Sequence, residues 1–355
     1  MKQLIALIVV ALSFSNPSLS WAGNNLVAGG TGGGSSSQTW EIRNVSGGFV
    51  SNGSLQNIRD YHCGVRLTTG NILIAGGTGT GGANSWEIRN TSGGLVSNGT
   101  LTANYFAYHT CTLLSNGNVL IVGGWADPSQ NPNNYWEIRN SSGGLVNSGT
   151  LTTSRAKHTT TLLPSGNVFI VGGDYAYGSW EIRNSSFGLV SSGFPWGPRT
   201  FHCAVGLSNG NVFLADGTAS AGTWEIRDGL GNLVSTGGLW ASRYLGLTCN
   251  LLANSNILIV GGVYAAQSWE IRNQSGALVS QGSLSANRAC HGVQVQSTGN
   301  ILITGGGGSG RRYADYCTGT VWSPTTWELR SSTGSLVSTG NLLVPRKDGH
   351  TLTGY

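Results

Sequence analysis

Apolar residues in this chain fall into short runs separated by tight-turn residues. Val168 to Val171 is one such run, bounded by Asn167 on one side and Gly172-Gly173 on the other. Four apolar residues between turn formers predict a short buried strand. Ala156 to Leu163 precedes it as another strand, and Pro164-Ser165-Gly166 joins the two. Ser179 to Arg183 follows, with Trp180 and Ile182 alternating against Glu181 and Arg183, so each pair occupies its own face of a third strand. Gly188 to Ser192 supplies a weaker fourth. In other copies the joining turn is Ser115-Asn116-Gly117 or Ser208-Asn209-Gly210, and Gly and Asn accept the positive φ of tight hairpins cheaply. The predicted unit is a four-stranded antiparallel sheet.

That unit recurs. The pattern Asn-[Val/Ile]-[Leu/Phe]-Ile-x-Gly-Gly ends at Gly77, Gly124, Gly173, Gly262 and Gly306, with variants ending at Gly30 and Gly217. Successive copies lie 44 to 49 residues apart. Each is followed by Trp-Glu-[Ile/Leu]-Arg, beginning at Trp40, Trp86, Trp136, Trp180, Trp224, Trp269 and Trp327. Two independent markers thus count seven copies, and a fixed period of this length signals a repeat architecture. One such sheet cannot bury both faces alone, whereas radial stacking of seven buries all of them. The expected fold is all-β: a single seven-bladed β-propeller of four-stranded antiparallel blades over residues 23–355.

The run Thr-Thr-Ser-Arg-Ala-Lys-His-Thr-Thr-Thr-Leu-Leu-Pro-Ser-Gly-Asn-Val-Phe-Ile-Val-Gly-Gly from Thr152 to Gly173, with Ser-Trp-Glu-Ile-Arg ending at Arg183, resembles a kelch repeat. The variety is that of bacterial kelch proteins and of the propeller domain of galactose oxidase, and the resemblance covers essentially the whole chain after residue 22. It implies the propeller fold and says little of function, because kelch propellers include binding platforms, structural proteins and a few enzymes. Two departures stand out. Arg43, Arg89, Arg139, Arg183, Arg227, Arg272 and Arg330 replace the family's third-strand tyrosine, and pairs such as Leu95-Val96 and Leu145-Val146 replace its fourth-strand tryptophan. The tryptophan of Trp-Glu-x-Arg is therefore expected to carry a rearranged aromatic packing between blades. Asn25 to Gly30 matches a second strand, and Gly349-His350-Thr351-Leu352-Thr353 resembles a first strand. The family's habit of closing the ring with the C-terminal segment implies that these N- and C-terminal segments share one blade.

Composition adds the compartment. Lys2, an apolar run from Leu4 to Phe14 and the small-x-small tripeptide Ser20-Trp21-Ala22 read as a secretory signal over residues 1–22. No later stretch approaches the ~20 apolar residues of a membrane-spanning helix. The expected product is secreted, periplasmic or cell-surface associated, with no membrane span once the signal is removed, in a bacterial style. The net charge of +5 comes from sixteen arginines and three lysines spread through the repeats without a patch, which argues against a nucleic-acid partner.

Candidate chemistry is thinned by the repetition. All seven glutamates belong to Trp-Glu-x-Arg, as in Trp86-Glu87-Ile88-Arg89, Trp136-Glu137-Ile138-Arg139 and Trp180-Glu181-Ile182-Arg183. A catalytic acid is normally unique, so these residues read as structural: a Glu–Arg pair satisfied between neighbouring blades. His62, His158, His202 and His291 each lie three residues after an arginine, His109 holds that place after Phe106, and His350 sits one place later after Arg346. They are expected to hydrogen-bond near the start of the inner strands, with no metal or other cofactor. The copper-radical set of galactose oxidase cannot be mapped. Six cysteines in an exported chain imply disulfides, and repeat position favours Cys63–Cys111, Cys203–Cys249 and Cys290–Cys317. Asn-x-Ser/Thr sequences at Asn44, Asn90, Asn140 and Asn184 read as turn composition.

What remains variable is the set of loops after the second strands and entering each new blade, which emerge on one side of an antiparallel blade. They carry Trp125, Asp127, Tyr175, Tyr177, Tyr264, Tyr105, Phe106, Trp196, Trp240 and Tyr244. The longest, from Gly307 to Thr326, adds Arg311, Arg312, Tyr313, Tyr316 and Trp322. Aromatics with a few arginines on irregular loops suit contact with a protein or a glycan. The expected function is noncatalytic extracytoplasmic binding or adhesion through this face. The competing reading is a carbohydrate-active enzyme, for which Asp127, Asp174, Asp216 and Asp315 are the acids outside the repeat pattern.

Overall fold

A computed structural model describes residues 23–32, 35–105, 107–176, 178–194, 197–217, 222–306, 325–346 and 350–354. The expected signal segment lies outside them. The described strands form seven antiparallel sheets arranged as a propeller around a central axis. Blade 2 shows the plan, with inner strand Cys63–Arg66, second strand Ile72–Ala75, third strand Ser85–Arg89 and outer strand Leu95–Thr100. Blades 3 to 7 begin at Thr110–Leu113, Thr159–Leu162, Cys203–Gly206, Leu247–Leu251 and Gly292–Val295.

Blade 1 is made from both ends of the chain. His350–Gly354 is its inner strand and pairs with Asn25–Gly29 in the register Gly29 to His350 and Asn25 to Gly354. Asn25–Gly29 pairs in turn with Ser35–Arg43, and that strand with Phe49–Arg59. The ring is closed as expected.

Strand position dictates composition. Second strands such as Val119–Val122 are buried at every residue, so they read as continuous apolar runs. Outer strands such as Leu278–Ser283 alternate exposed and half-buried positions. Between the sheets lie seven apolar clusters among the described residues, each drawn from two adjacent blades, as where Leu73 and Trp86 of blade 2 meet Val119 and Ile121 of blade 3. The last joins Trp327 of blade 7 to Leu352 of blade 1.

Trp-Glu-x-Arg supplies the polar seam beside these clusters. Glu181 Oε2 receives Arg183 at 2.7 Å, and Oε1 lies 3.4 Å from Arg155, all three side chains being buried. The Glu–Arg pair thus closes within one strand, which corrects the expectation that it would bridge two blades. The inter-blade tie is made by neighbouring atoms: Arg89 Nη2 donates to the Ser54 carbonyl and Arg139 Nη2 to the Thr100 carbonyl, both on the preceding outer strand. Glutamate reaches back too, since Glu137 accepts the Thr102 N–H at 2.8 Å and Glu270 the Trp240 N–H at 2.9 Å.

The tryptophans explain two repeated glycines. Trp40 lies against Gly53 of its own outer strand, and it also fills the space where a Cβ on Gly93, in the next blade's turn, would sit 2.2 Å from the ring. Gly93 also has φ +83°. The guanidinium of Arg139 lies 5.7 Å from the centre of the Trp86 ring, again across a junction. The rearranged aromatic packing is therefore a tryptophan held between glycines and capped by the next blade's arginine.

Candidate functional site

Six fully buried arginines stand at the entrance to the blades: Arg59, Arg155, Arg199, Arg243, Arg288 and Arg346. Each sends Nη1 to the carbonyl after a second strand, as in Arg155 to Gly172 at 2.9 Å and Arg199 to Asp216 at 2.7 Å. Several also face the repeat glutamate, for example Arg199 to Glu225 at 2.9 Å and Arg288 to Glu328 at 2.8 Å. At Glu328 burial alone would favour the neutral acid, but Arg288, the Ser285 N–H and Arg330 outweigh it and hold the carboxyl below its ordinary range. Blade 3 has Tyr105 in this place, not Phe106 as the spacing implied; Tyr105 is buried and its carbonyl accepts the Gly77 N–H as Arg155's accepts that of Gly124. Tyr105 therefore belongs to the interior and not to the contact face, and burial raises its phenol well above the usual value.

Three or four residues further on, the histidines stand at the rim of the axis. Five share an Nε2 hydrogen bond with the preceding blade: His109 with the Ala75 carbonyl, and His158, His202, His291 and His350 with the hydroxyls of Thr110, Thr159, Thr248 and Thr304. This is the structural role expected of them. They also account for the Gly-Gly pairs. A Cβ on Gly123 would lie 2.8 Å from His158 of the next blade, and one on Gly124 would lie 2.7 Å from His109 of its own. Burial depresses all six imidazoles, to about 4 at His109 and about 3 at His202 and His350, with nearby arginines adding to the effect at His202 and His350. They are neutral at pH 7.

The residue before each described histidine is the unexpected feature. Tyr61, Tyr108, Lys157, Phe201 and Cys290 all have left-handed backbones, with φ between +52° and +59°. Bulky residues pay roughly 1–3 kcal/mol each for such a conformation. The twist turns the amides around the axis: Lys157 N–H donates to Tyr108 O, Phe201 N–H to Lys157 O and Cys290 N–H to Gly246 O, at 3.1, 3.2 and 2.8 Å. It also delays the inner strand, so blade 4 starts at Thr159 and not at Ala156.

Their side chains gather at the axial mouth. Tyr108 meets Tyr61 at 4.8 Å, Trp125 at 4.7 Å and Phe201 at 5.4 Å between ring centres. Lys157 Nζ lies 4.7 Å from the Trp125 ring, 4.6 Å from Phe201 and 2.6 Å from Asp174 Oδ2. Below them is a cavity of about 320 Å³ lined by the six histidines together with Tyr61, Tyr108, Lys157 and Phe201. The arrangement offers aromatic faces and one ammonium–carboxylate pair to a ligand.

Of the site residues read from the sequence, Trp125 joins this cluster. Tyr244 and Tyr264 stack on each other at 4.9 Å beside Trp240, on blades 5 and 6. Tyr175 is exposed with φ +64°. Asp127 accepts the Ser129 N–H and the Asn131 side chain, and these bonds shape its own exposed loop. Tyr177, Trp196, Arg311, Arg312, Tyr313, Tyr316 and Trp322, and also Asp315, lie outside the described residues. Tyr61, Tyr108, Lys157 and Phe201 were missed; the signal available was their shared place before a histidine in successive repeats. Cys63–Cys111 and Cys203–Cys249 are formed, joining inner strands of adjacent blades. Cys290 is also disulfide-bonded, while Cys317 lies outside the described residues.

No protein-family profile and no curated protein matches the chain. Among solved structures, a fungal alcohol oxidase of the AA5 family, in complex with copper, matches with a TM-score of 0.63 at 18% identity over 81% of this chain and 66% of its own. This chain thus spans just under two-thirds of that protein's length. A protein of unknown function from Bacteroides caccae matches over 93% of this chain and 99% of its own, with a TM-score of 0.46 at 12% identity. The first likeness supports the propeller fold. The described residues do not fit copper: no three His, Cys, Asp or Glu side chains among them come together as a ligand set, and five imidazoles already engage the neighbouring blade through Nε2. Among the described residues no helix is long and apolar enough to cross a membrane.

Proposed function

We propose that the protein is a noncatalytic, kelch-like binding module, exported from a bacterial cell, that recognises a protein or glycan through its loop-rich face, centred on the axial mouth. The observation that carries this reading is the cluster of Tyr61, Tyr108, Phe201 and Lys157 on strained backbone. Blade 6 meets the same amide ring with Gly246, at φ +72°. The ring therefore needs no side chain at that position, and glycine would remove the strain. Aromatics held there against a conformational cost fit a contact surface better than a plug.

The test uses Phe201→Gly, which copies Gly246 and removes the ring without breaking the backbone. Glycan-array and pull-down capture by the full mature chain should fall at least about tenfold, a loss of ~1.4 kcal/mol, with the thermal midpoint unchanged. Unchanged capture would defeat the mouth as the contact site.

A carbohydrate-active enzyme is the second reading, favoured by the fold shared with an alcohol oxidase. Lys157 and Asp174 are the ionisable side chains paired at the mouth, and each satisfies the other. Incubating any captured glycan with the protein and analysing it by mass spectrometry separates the two: an altered glycan supports the enzyme, an intact one the binding module.

A further inference from the structure

Six of the seven blade entrances bring a histidine to the axis, and blade 6 alone does not. The same junction holds the one Gly-Gly pair whose first member is replaced, by Asp216 at φ +61°. These are one departure and not two. Elsewhere the next blade's imidazole packs directly over that glycine, as His158 does over Gly123. Where the imidazole is missing, a side chain fits, and Asp216 is fully buried there.

Its carboxylate grips the loop entering blade 6. Oδ2 accepts the Arg243 N–H at 2.6 Å and Oδ1 the Gly222 N–H at 3.1 Å. The adjoining residue, Tyr244, is held at φ +67° and stacks on Tyr264, the ring planes only 13° apart. Beside this ledge lies a cleft of about 450 Å³. Trp240 and Tyr264 line it, 49% and 68% exposed, with Gln267, Asn287, Ser268 and Ser283 as its polar groups and no charged side chain in the lining.

We propose that this cleft is a subsite for a neutral glycan, with Trp240 and Tyr264 as its stacking surfaces and Asp216 as the positioning residue that sets the ledge. A pyranose ring presents C–H groups on its face and hydroxyls on its edge. Aromatic faces match the first, and uncharged amides and hydroxyls exchange hydrogen bonds with the second. An anionic glycan would find no cation in the lining. The proposal rests on the reading that the loop-rich face binds ligands, and it names a second station there, separate from the axial mouth.

The test is calorimetric titration of the full mature chain with neutral hexasaccharides of glucose, mannose, xylose and N-acetylglucosamine, and with hexagalacturonate as the charged control. At least one neutral hexasaccharide should bind, hexagalacturonate should not, and Trp240→Ala and Tyr264→Ala should each weaken binding about tenfold. Asp216→Gly, which restores the residue of the other repeats, should weaken it about threefold at unchanged thermal midpoint, with Asp216→Asn closer to the parent. Phe201→Gly should leave it unaltered. Binding lost in Phe201→Gly but kept in Trp240→Ala would overturn the cleft while supporting the mouth. No neutral saccharide bound, with mouth-dependent capture of another partner intact, would overturn the cleft alone.

Discussion

The Trp-Glu-x-Arg seam and the axial mouth are built from the same repeat under opposite rules. In the seam, backbone and side chain both recur: seven buried glutamates, each followed by the same arginine. At the mouth only the backbone recurs. Tyr108, Lys157, Phe201, Gly246 and Cys290 share a left-handed conformation and a place in the amide ring, yet no two neighbours around it are alike. Repeated side chains mark packing; differing side chains on a repeated backbone mark positions freed for contact. Variants that strike the seam should therefore cost stability, and variants at the mouth should cost binding.

The largest effect is expected from removing residues 350–355, which takes the inner strand out of blade 1 and exposes Asn25–Gly29. Cooperative thermal unfolding and compact size by scattering should both be lost; an unchanged midpoint would contradict ring closure. Glu181→Gln comes next. It leaves Arg155 and Arg183 buried without their counter-charge, at a cost of ~3–5 kcal/mol in denaturant unfolding. Gly93→Ala should cost ~1–3 kcal/mol by overpacking against Trp40, measured in the same way.

Acid should act on the rim of the axis. The histidines titrate near 6.5 when unfolded and at about 3 to 4 where a folded value is fixed. The unfolded chain then binds more protons, so the stability is complete above pH 6.5 and declines as pH falls toward 4. Thermal midpoints between pH 7 and pH 4 should drop steadily, and His202→Gln should flatten the slope. The smallest effect on stability is that of Phe201→Gly, within ~0.5 kcal/mol.

Repetition made the scaffold legible. The Asn-to-Gly-Gly motif and Trp-Glu-x-Arg gave blade number, strand order and closure, and repeat position identified Cys63–Cys111 and Cys203–Cys249. What escaped was contact between distant parts of the repeat. The second arginine facing Glu181 is Arg155, 26 residues earlier, visible in sequence only as a marker ahead of His158. Tyr105 was hidden because blade 3 inserts one residue before His109, shifting the arginine's place from Phe106. The mouth cluster was harder still: Tyr108, Trp125 and Phe201 meet across the axis from blades 3 and 5, and nothing local in the sequence signals that approach. Asp216 was noticed for replacing a glycine, but its meaning required seeing that the absent histidine belongs to the next blade.

The most direct measurement compares Glu181→Gln with Phe201→Gly for both unfolding free energy and ligand capture at 15 °C, where both remain folded. The predicted result is a crossed outcome: Glu181→Gln loses stability and keeps capture, while Phe201→Gly keeps stability and loses capture. Capture retained by Phe201→Gly, or lost in a fully folded Glu181→Gln, would contradict the division between a packing seam and a binding mouth.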